Sequence, residues 1–323
     1  MSHLPPIPEN KQWTGIYPGN HFGNLWQTFN IDLERSPGRL VLSHKFRRFA
    51  SGLGVVYKFI RTNADATDGW WGLINATDMI KNGNTDITGG TWAADVLANS
   101  PNAPRDMEIH ESVNGEQRLV VSTATDIAIL NLSGSANAWT LAWWDTTLAQ
   151  TALTSSTFHP LARLQRLLAV GDIVNNTTTA RPVIHTIDKD DTVSASRLIF
   201  PPGYTVRVIY TSSNRFWIGL QGDIGQPARI IEWDGSATTY NNEFDLQGSY
   251  PLTGWIINGI PYFITELGYI FKYSGGGFTK IQEFPMQENE QVFSSSLTAE
   301  NTITPYGRWV DGYTVYLLVG APM

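Results

Sequence analysis

Two-residue hairpin turns need positive φ at their central positions, and Asx-Gly is their preferred filling. This chain carries four such dipeptides at regular intervals: Asp68-Gly69, Asn114-Gly115, Asn258-Gly259 and Asp311-Gly312. Each leads at once into a short apolar run rich in β-formers, beginning near Trp70, Gln117, Ile260 and Tyr313. The steps between the glycines are 46, 144 and 53 residues, and 144 is three steps of 48. A hairpin recurring about every 48 residues marks a radial or stacked repeat, which grows by adding units. That overrides the two domains that 323 residues would otherwise suggest.

Aligned on these hairpins, the chain reads as units of four short strands. The fourth unit is clearest: Tyr204–Tyr210, Arg215–Leu220, Ala228–Trp233 and Thr239–Phe244. The fifth repeats it with strands starting at Leu252, Pro261, Tyr269 and Phe278. The first unit places its strands at Val55–Arg61, Trp70–Ile74, Asp78–Lys81 and Thr91–Val96. The second places them at Asp106–Val113, Arg118–Ser122, Ile127–Leu132 and Trp139–Asp145, and the third runs from Pro160 to Phe200. Period and strand number predict an all-β chain, a β-propeller of four-stranded antiparallel blades. Two strands are spare at the start (Leu25–Leu33 and Arg39–Phe46), and two stand alone at the end (Gly307–Val310 and Tyr313–Val319). Pairing them gives six blades, the last shared between the N- and C-termini; the alternative is seven or more blades, with this chain a segment. The expected organisation is an N-terminal extension over residues 1–24 and a propeller over 25–323. Trp143, Trp144, Trp217 and Trp233 fall where packing between blades is the expected role.

Low charge (16%) with 12 Trp, 12 Tyr and 14 Phe fits strands buried between neighbouring sheets. A net charge of −7 would repel a phosphate backbone, so no nucleic-acid partner is expected. The basic run Lys45-Phe46-Arg47-Arg48 reads as a strand with one solvated face. With no cysteine, disulfides and thiolate chemistry are excluded. Met1 to Trp13 has no apolar core, so no secretory signal is expected, and no run has the length for membrane insertion.

Chemical signals are thin. The six histidines (3, 21, 44, 110, 159 and 185) show no metal-ligand spacing and read as surface or packing residues. Asp188, Asp190 and Asp191 resemble part of a calcium loop, but they fall where a hairpin turn belongs. No phosphate loop, nucleophile elbow or zinc-protease motif occurs, so no catalytic residues and no cofactors are expected. Two segments break the repeat rhythm. One is 285–305, with Glu288, Asn289 and Glu290; the other is the aromatic, Gly-rich 13–24, with Trp13, Tyr17 and His21. Both read as binding or docking loops on the one hand, and as solvated or self-covering segments on the other. Thr146–Thr157 occupies the same inter-unit position after the second unit.

Leu167–Asp172, Phe216–Leu220, Ile231–Gly235 and Ile270–Gly275 resemble blades of propeller proteins of tailed bacteriophage and environmental viral sequences. The opening Trp13–Asn20 is similar to their N-termini. The resemblance implies a non-enzymatic structural or host-attachment component of a phage virion, in tail or capsid. Its partners would be other virion proteins or copies of itself, with a host-surface glycan as a possible ligand. The alternatives are a carbohydrate-binding propeller and a glycosidase or lyase with carboxylates facing the channel.

Overall fold

The computed structural model describes residues 31–32, 41–42, 56–62, 69–74, 79–82, 93–94, 97, 99–132, 138–155, 158–176, 179–212, 214–248, 251–283, 308–311 and 314–317. The chain divides into two compact bodies, Met1–Phe49 and Ala50–Met323. In the first, β1 (Ile31–Asp32) pairs antiparallel with β2 (Val41–Leu42). The second is a series of antiparallel sheets, each built from strands consecutive in sequence.

Its first sheet comprises β3 (Val56–Thr62), β4 (Gly69–Ile74), β5 (Met79–Asn82) and β6 (Ala93–Ala94). The second has β7 (Asp106–Glu111), β8 (Gln117–Ser122) and β9 (Ile127–Asn131). The third has β10 (Leu161–Leu164), β11 (Leu167–Asn176), β12 (Thr179–Ile187) and β13 (Val193–Ile199). The fourth has β14 (Tyr204–Ser212), β15 (Arg215–Gly222), β16 (Ala228–Trp233) and β17 (Asn242–Leu246). The fifth has β18 (Pro251–Ile257), β19 (Ile260–Thr265), β20 (Tyr269–Tyr273) and β21 (Phe278–Glu283). A two-stranded sheet follows, β22 (Arg308–Asp311) with β23 (Thr314–Leu317).

Hairpin chemistry follows the sequence at one of the two Asx-Gly pairs wholly among the described residues; Asp68 and Gly312 lie outside them. At Asn258-Gly259 both residues have positive φ, 50° and 78°, the geometry a two-residue turn between β18 and β19 requires. At Asn114-Gly115 only the glycine (φ 77°) is left-handed, and the loop is wider, closed by Gly115 N–H donating to Ser112 O at 2.9 Å. One expected strand is replaced. Trp139–Asp145 does not form the fourth strand of the second sheet: only the bridge between Ile129 and Thr140 forms, and Trp143–Thr147 coil into one π-helical turn. A strand would send Trp143 and Trp144 to opposite faces. The turn instead buries both indoles on the same side, 2% and 1% exposed.

The apolar clusters lie between sheets rather than within them. Trp71 and Leu73 of the first sheet pack on Met107, Leu119, Val121 and Trp139 of the second, with Trp71 edge-on to Trp139 at 5.7 Å. Val120, Ile127, Trp143 and Trp144 pack on Leu161, Leu168, Val170 and Ile187 of the third. Ala169, Ile184 and Phe200 meet Val206, Phe216, Ile218 and Trp233 of the fourth. Val208, Tyr210 and Trp217 meet Phe263 and Phe271 of the fifth. The expected role of Trp143, Trp144, Trp217 and Trp233 is therefore the observed one. The first strand of each sheet touches the first strand of the next, from β3 to β7, β10, β14, β18 and β22.

Two devices recur among these first strands, though β7, β10 and β22 pair without a register shift. Register shifts fall between Val56 and Lys58 in β3, Val206 and Val208 in β14, and Pro251 and Thr253 in β18, so a bulge recurs at one position of the repeat. Glycines opposite them let the next strand approach closely. A Cβ at Gly171 would lie 2.8 Å from both Pro160 Cγ and Val206 Cγ1, and one at Gly219 would lie 2.6 Å from Val208 Cγ2 and 2.7 Å from Pro251 Cγ. A buried carboxylate ties three sheets together. Asp106 accepts from Lys58 Nζ of the first sheet (2.9 Å) and from Leu161 N–H of the third (2.8 Å), as well as from Met107 N–H (2.7 Å). Burial pushes its carboxyl up, and Lys58 pulls it back down.

The glycine contacts give a direct test of sheet-on-sheet packing. Gly219→Ala is expected to cost about 1–3 kcal/mol by overpacking β14 and β18, read from the midpoint of urea unfolding. An unchanged midpoint would mean that the two strands separate freely.

Candidate functional site

Two arrangements of polar groups stand out among the described residues. The first lies on the connection between the second and third sheets. Asp126 ends the turn between β8 and β9, and its Oδ1 accepts from Ile127 N–H at 2.6 Å and Trp144 N–H at 3.2 Å. The π-helical turn brings Asp145 near enough for its charge to act on Asp126. Two carboxylates so placed cannot both ionise cheaply. Burial first, and the nearby Asp145 charge after it, push Asp126 up to about 6. Trp144 anchors the same turn, its Nε1–H donating to Thr151 O at 2.7 Å.

Behind this pair runs a buried polar chain. The Trp144 ring lies edge-on to His185, 5.1 Å between centroids. His185 Nδ1 accepts from Ser196 N–H at 2.9 Å, which fixes its proton on Nε2, 3.3 Å from Asp172 Oδ2. Asp172 Oδ1 accepts from Ile173 N–H and Thr154 N–H, pinning the connection from below. His159 is fully buried, with Nδ1 at 3.1 Å from Gly171 O and Nε2 at 3.0 Å from Ala124 O. Its own carbonyl accepts from Ser122 Oγ at 2.7 Å, so it staples the second sheet to the third. His159 and His185 are thus packing residues, as is the buried His110, whose Nε2 meets Asp188 O at 3.2 Å.

The second arrangement is an open cleft of about 860 Å³ between the fourth and fifth sheets. It lies where the hairpins joining first to second strands, and third to fourth, come together. Asn214, Arg215, Trp217 and Glu232 line one wall, and Pro261, Lys272, Tyr273 and Ser274 the other. Tyr273 is held between Trp217 (4.8 Å) and Phe278 (5.4 Å), and its hydroxyl donates to Gly275 O. Glu232 has both oxygens engaged, by Arg215 Nε at 3.3 Å and Asn242 Nδ2 at 2.7 Å. The buried Trp217 Nε1–H has no acceptor among the described residues.

Asp188, Asp190 and Asp191 form the turn between β12 and β13. Asp188 Oδ1 accepts the N–H groups of Asp190 and Thr192, Asp191 grips Arg118 Nη1 at 2.7 and 2.8 Å, and Asp190 pairs with Lys189. Their carboxylates point to separate partners, and no cluster of three or more His, Cys, Asp or Glu suited to a metal occurs among the described residues. Trp13, Tyr17, His21, Glu288, Asn289 and Glu290 lie outside the described residues, as do the basic run 45–48 and the whole of segment 285–305. In the connection 146–157, residues 146 and 147 close the π-helical turn, residues 148–155 form neither helix nor strand, and 156 and 157 lie outside the described residues.

The described part of this chain is an all-β repeat of antiparallel, mostly four-stranded sheets. No family model matches it, and no curated protein matches it. Similar solved structures include the computationally designed Ika8 protein, at 8% identity, TM-score 0.42, covering 84% of this chain and 82% of that one. BBS1N in complex with ARL6DN aligns at 10% identity and TM-score 0.47, over 78% and 71%. Apo AztD from Citrobacter koseri aligns at 14% identity and TM-score 0.42, over 81% and 65%. Likenesses this distant transfer no ligand, activity or partner. Among the described residues, no helix is long and apolar enough to cross a membrane.

The carboxyl pair predicts a pH dependence. Asp126 is raised to about 6 in the folded protein against about 4 in an unfolded chain. Its contribution to stability is therefore fully present below about pH 4 and lost as pH rises through about 6. Urea midpoints between pH 4 and 7 should fall more steeply for the native protein than for Asp126→Asn, which cannot ionise. Parallel curves would show that Asp126 is not raised by its surroundings.

Proposed function

We propose that this chain is a non-enzymatic recognition propeller of a virus particle, and that it binds carbohydrate in the cleft between its fourth and fifth sheets. The observation that carries the binding role is the composition of that cleft. A rigidly held Tyr273 ring stands among Asn214, Arg215, Glu232 and Ser274. Sugar rings present an apolar C–H face and a rim of hydroxyls, and they are met by an aromatic surface flanked by polar side chains. Closure as six blades, the sixth assembled from the strands near the two ends, is part of this reading; the ordered contact of successive first strands supports the stacking of consecutive sheets on which it builds. The virion assignment rests on the sequence resemblance.

The glycosidase alternative is less well supported. Hydrolysis of a glycosidic bond needs two carboxyl groups about 5–10 Å apart, with the substrate or a water between them. Asp126 instead turns its Oδ1 onto the Ile127 and Trp144 N–H groups.

A glycan array probed with the purified chain tests the binding role. Binding should be seen, and Tyr273→Ala should weaken it by about tenfold. A blank array with folded protein would remove the carbohydrate role. Labelling of purified particles with an antibody to this chain tests the virion role; its recovery only as a free monomer would count against it.

A further inference from the structure

The repeat carries its own comparison for the cleft. Arg118 and Arg215 hold the same place in the second and fourth sheets. Each is followed by a residue packed on the sheet before (Leu119, Phe216) and then by one packed on the sheet after (Val120, Trp217). Arg118 reaches the third sheet, where Asp191 in the turn between β12 and β13 takes Nη1 at 2.7 and 2.8 Å and locks the seam. Arg215 shares the cleft with the corresponding turn of the fifth sheet, Ser274-Gly275-Gly276-Gly277, which carries no acid. It turns back instead onto Glu232 of its own sheet. The cleft lies where the lock is missing.

The fold does not ask for all three glycines. Gly275 has φ 85°, a conformation that the first central position of a tight hairpin reserves for glycine. Gly276 and Gly277 are not left-handed, and a Cβ on either would meet nothing within 4 Å. Each costs chain entropy on folding without a turn or a close approach that needs it. Gly276 stands two residues before β21, as Asp191 stands two before β13.

Resting on the carbohydrate reading, we propose that the turn Ser274–Gly277 is the open lip of the cleft, kept bare so that a neutral glycan chain takes the place of the missing lock and runs out over Gly276. Glu232 already offsets the Arg215 charge, so the site offers no net attraction to an acid. Arg215 is pre-oriented by that pair, and its Nη2, without a partner among the described residues, is left to donate to a sugar hydroxyl.

The test is a glycan array printed with neutral and acidic glycans, from single sugars to long chains. It is read with the full chain and with Gly276→Ala, Gly276→Trp and Gly276→Asp, alongside urea midpoints. The native protein should prefer neutral chains to single sugars and to acidic chains. Gly276→Ala should bind as the native protein does. Gly276→Trp should weaken chain binding about tenfold and leave single sugars unaffected. Gly276→Asp should weaken it as well, by giving Arg215 the partner that Arg118 has. All three midpoints should equal or exceed the native one, because a side chain at this position meets no obstacle and narrows the unfolded ensemble. A lower midpoint in Gly276→Ala would show that the glycine serves the fold, and unchanged chain binding in Gly276→Trp that the lip touches no ligand. Either result, or chains bound no better than single sugars or acids, would overturn the proposal and leave the carbohydrate reading standing. Folded native protein that binds no glycan would overturn both.

Discussion

Burial on both faces is the constraint from which the rest of this structure follows. Each of the second, third and fourth sheets has a neighbour on either side, so alternation of apolar and polar residues gives way to runs that are buried throughout. β9 is buried at four of its five positions, and β15 at Phe216 to Leu220 without a break. Charge is then tolerable only at strand ends and turns, or where it is paired. Arg118 with Asp191, Arg229 with Glu243 and Asp245, and Lys58 with Asp106 show the pattern. Low charge and high aromatic content follow from the same demand.

Much of this was legible in the sequence because turns are local. Asx-Gly pairs need only their own backbone geometry, so they fixed the hairpins and with them the phase of the repeat. β16 and β20 fall where the pattern placed them. The errors come where side chains beyond the turn intervene. β17 begins at Asn242 rather than Thr239, because Asp234 Oδ1 accepts the N–H groups of Ser236 and Ala237 and Trp233 Nε1–H donates to Ala237 O. The chain is held in a wider loop before it can rejoin the sheet. At Trp143-Trp144 the demand of two adjacent indoles for burial overrode a plausible strand.

Neither candidate site could be read in advance. Asp126 and Asp145 each look like an ordinary turn residue, and only the π-helical turn brings their carboxyl groups together. The cleft draws its walls from two successive repeats, and no spacing within one repeat marks Tyr273 or Ser274 as sharing a cleft with Arg215. The alignment that revealed the repeat did hold the needed information: equivalent hairpins of adjacent units end side by side. The chemistry appears only when those ends are superposed in space rather than along the chain.

Asp106 gives these outwardly similar sheets unequal seams. Through one carboxylate the first, second and third sheets share a common partner, whereas the polar bonds across the later seams each join only two sheets, Arg197 to Ser236 O and Tyr210 to Thr253 Oγ1. A chain of equal modules would peel from its ends one at a time. Here detaching any one of the first three sheets strips a partner from a buried carboxylate, which couples their opening.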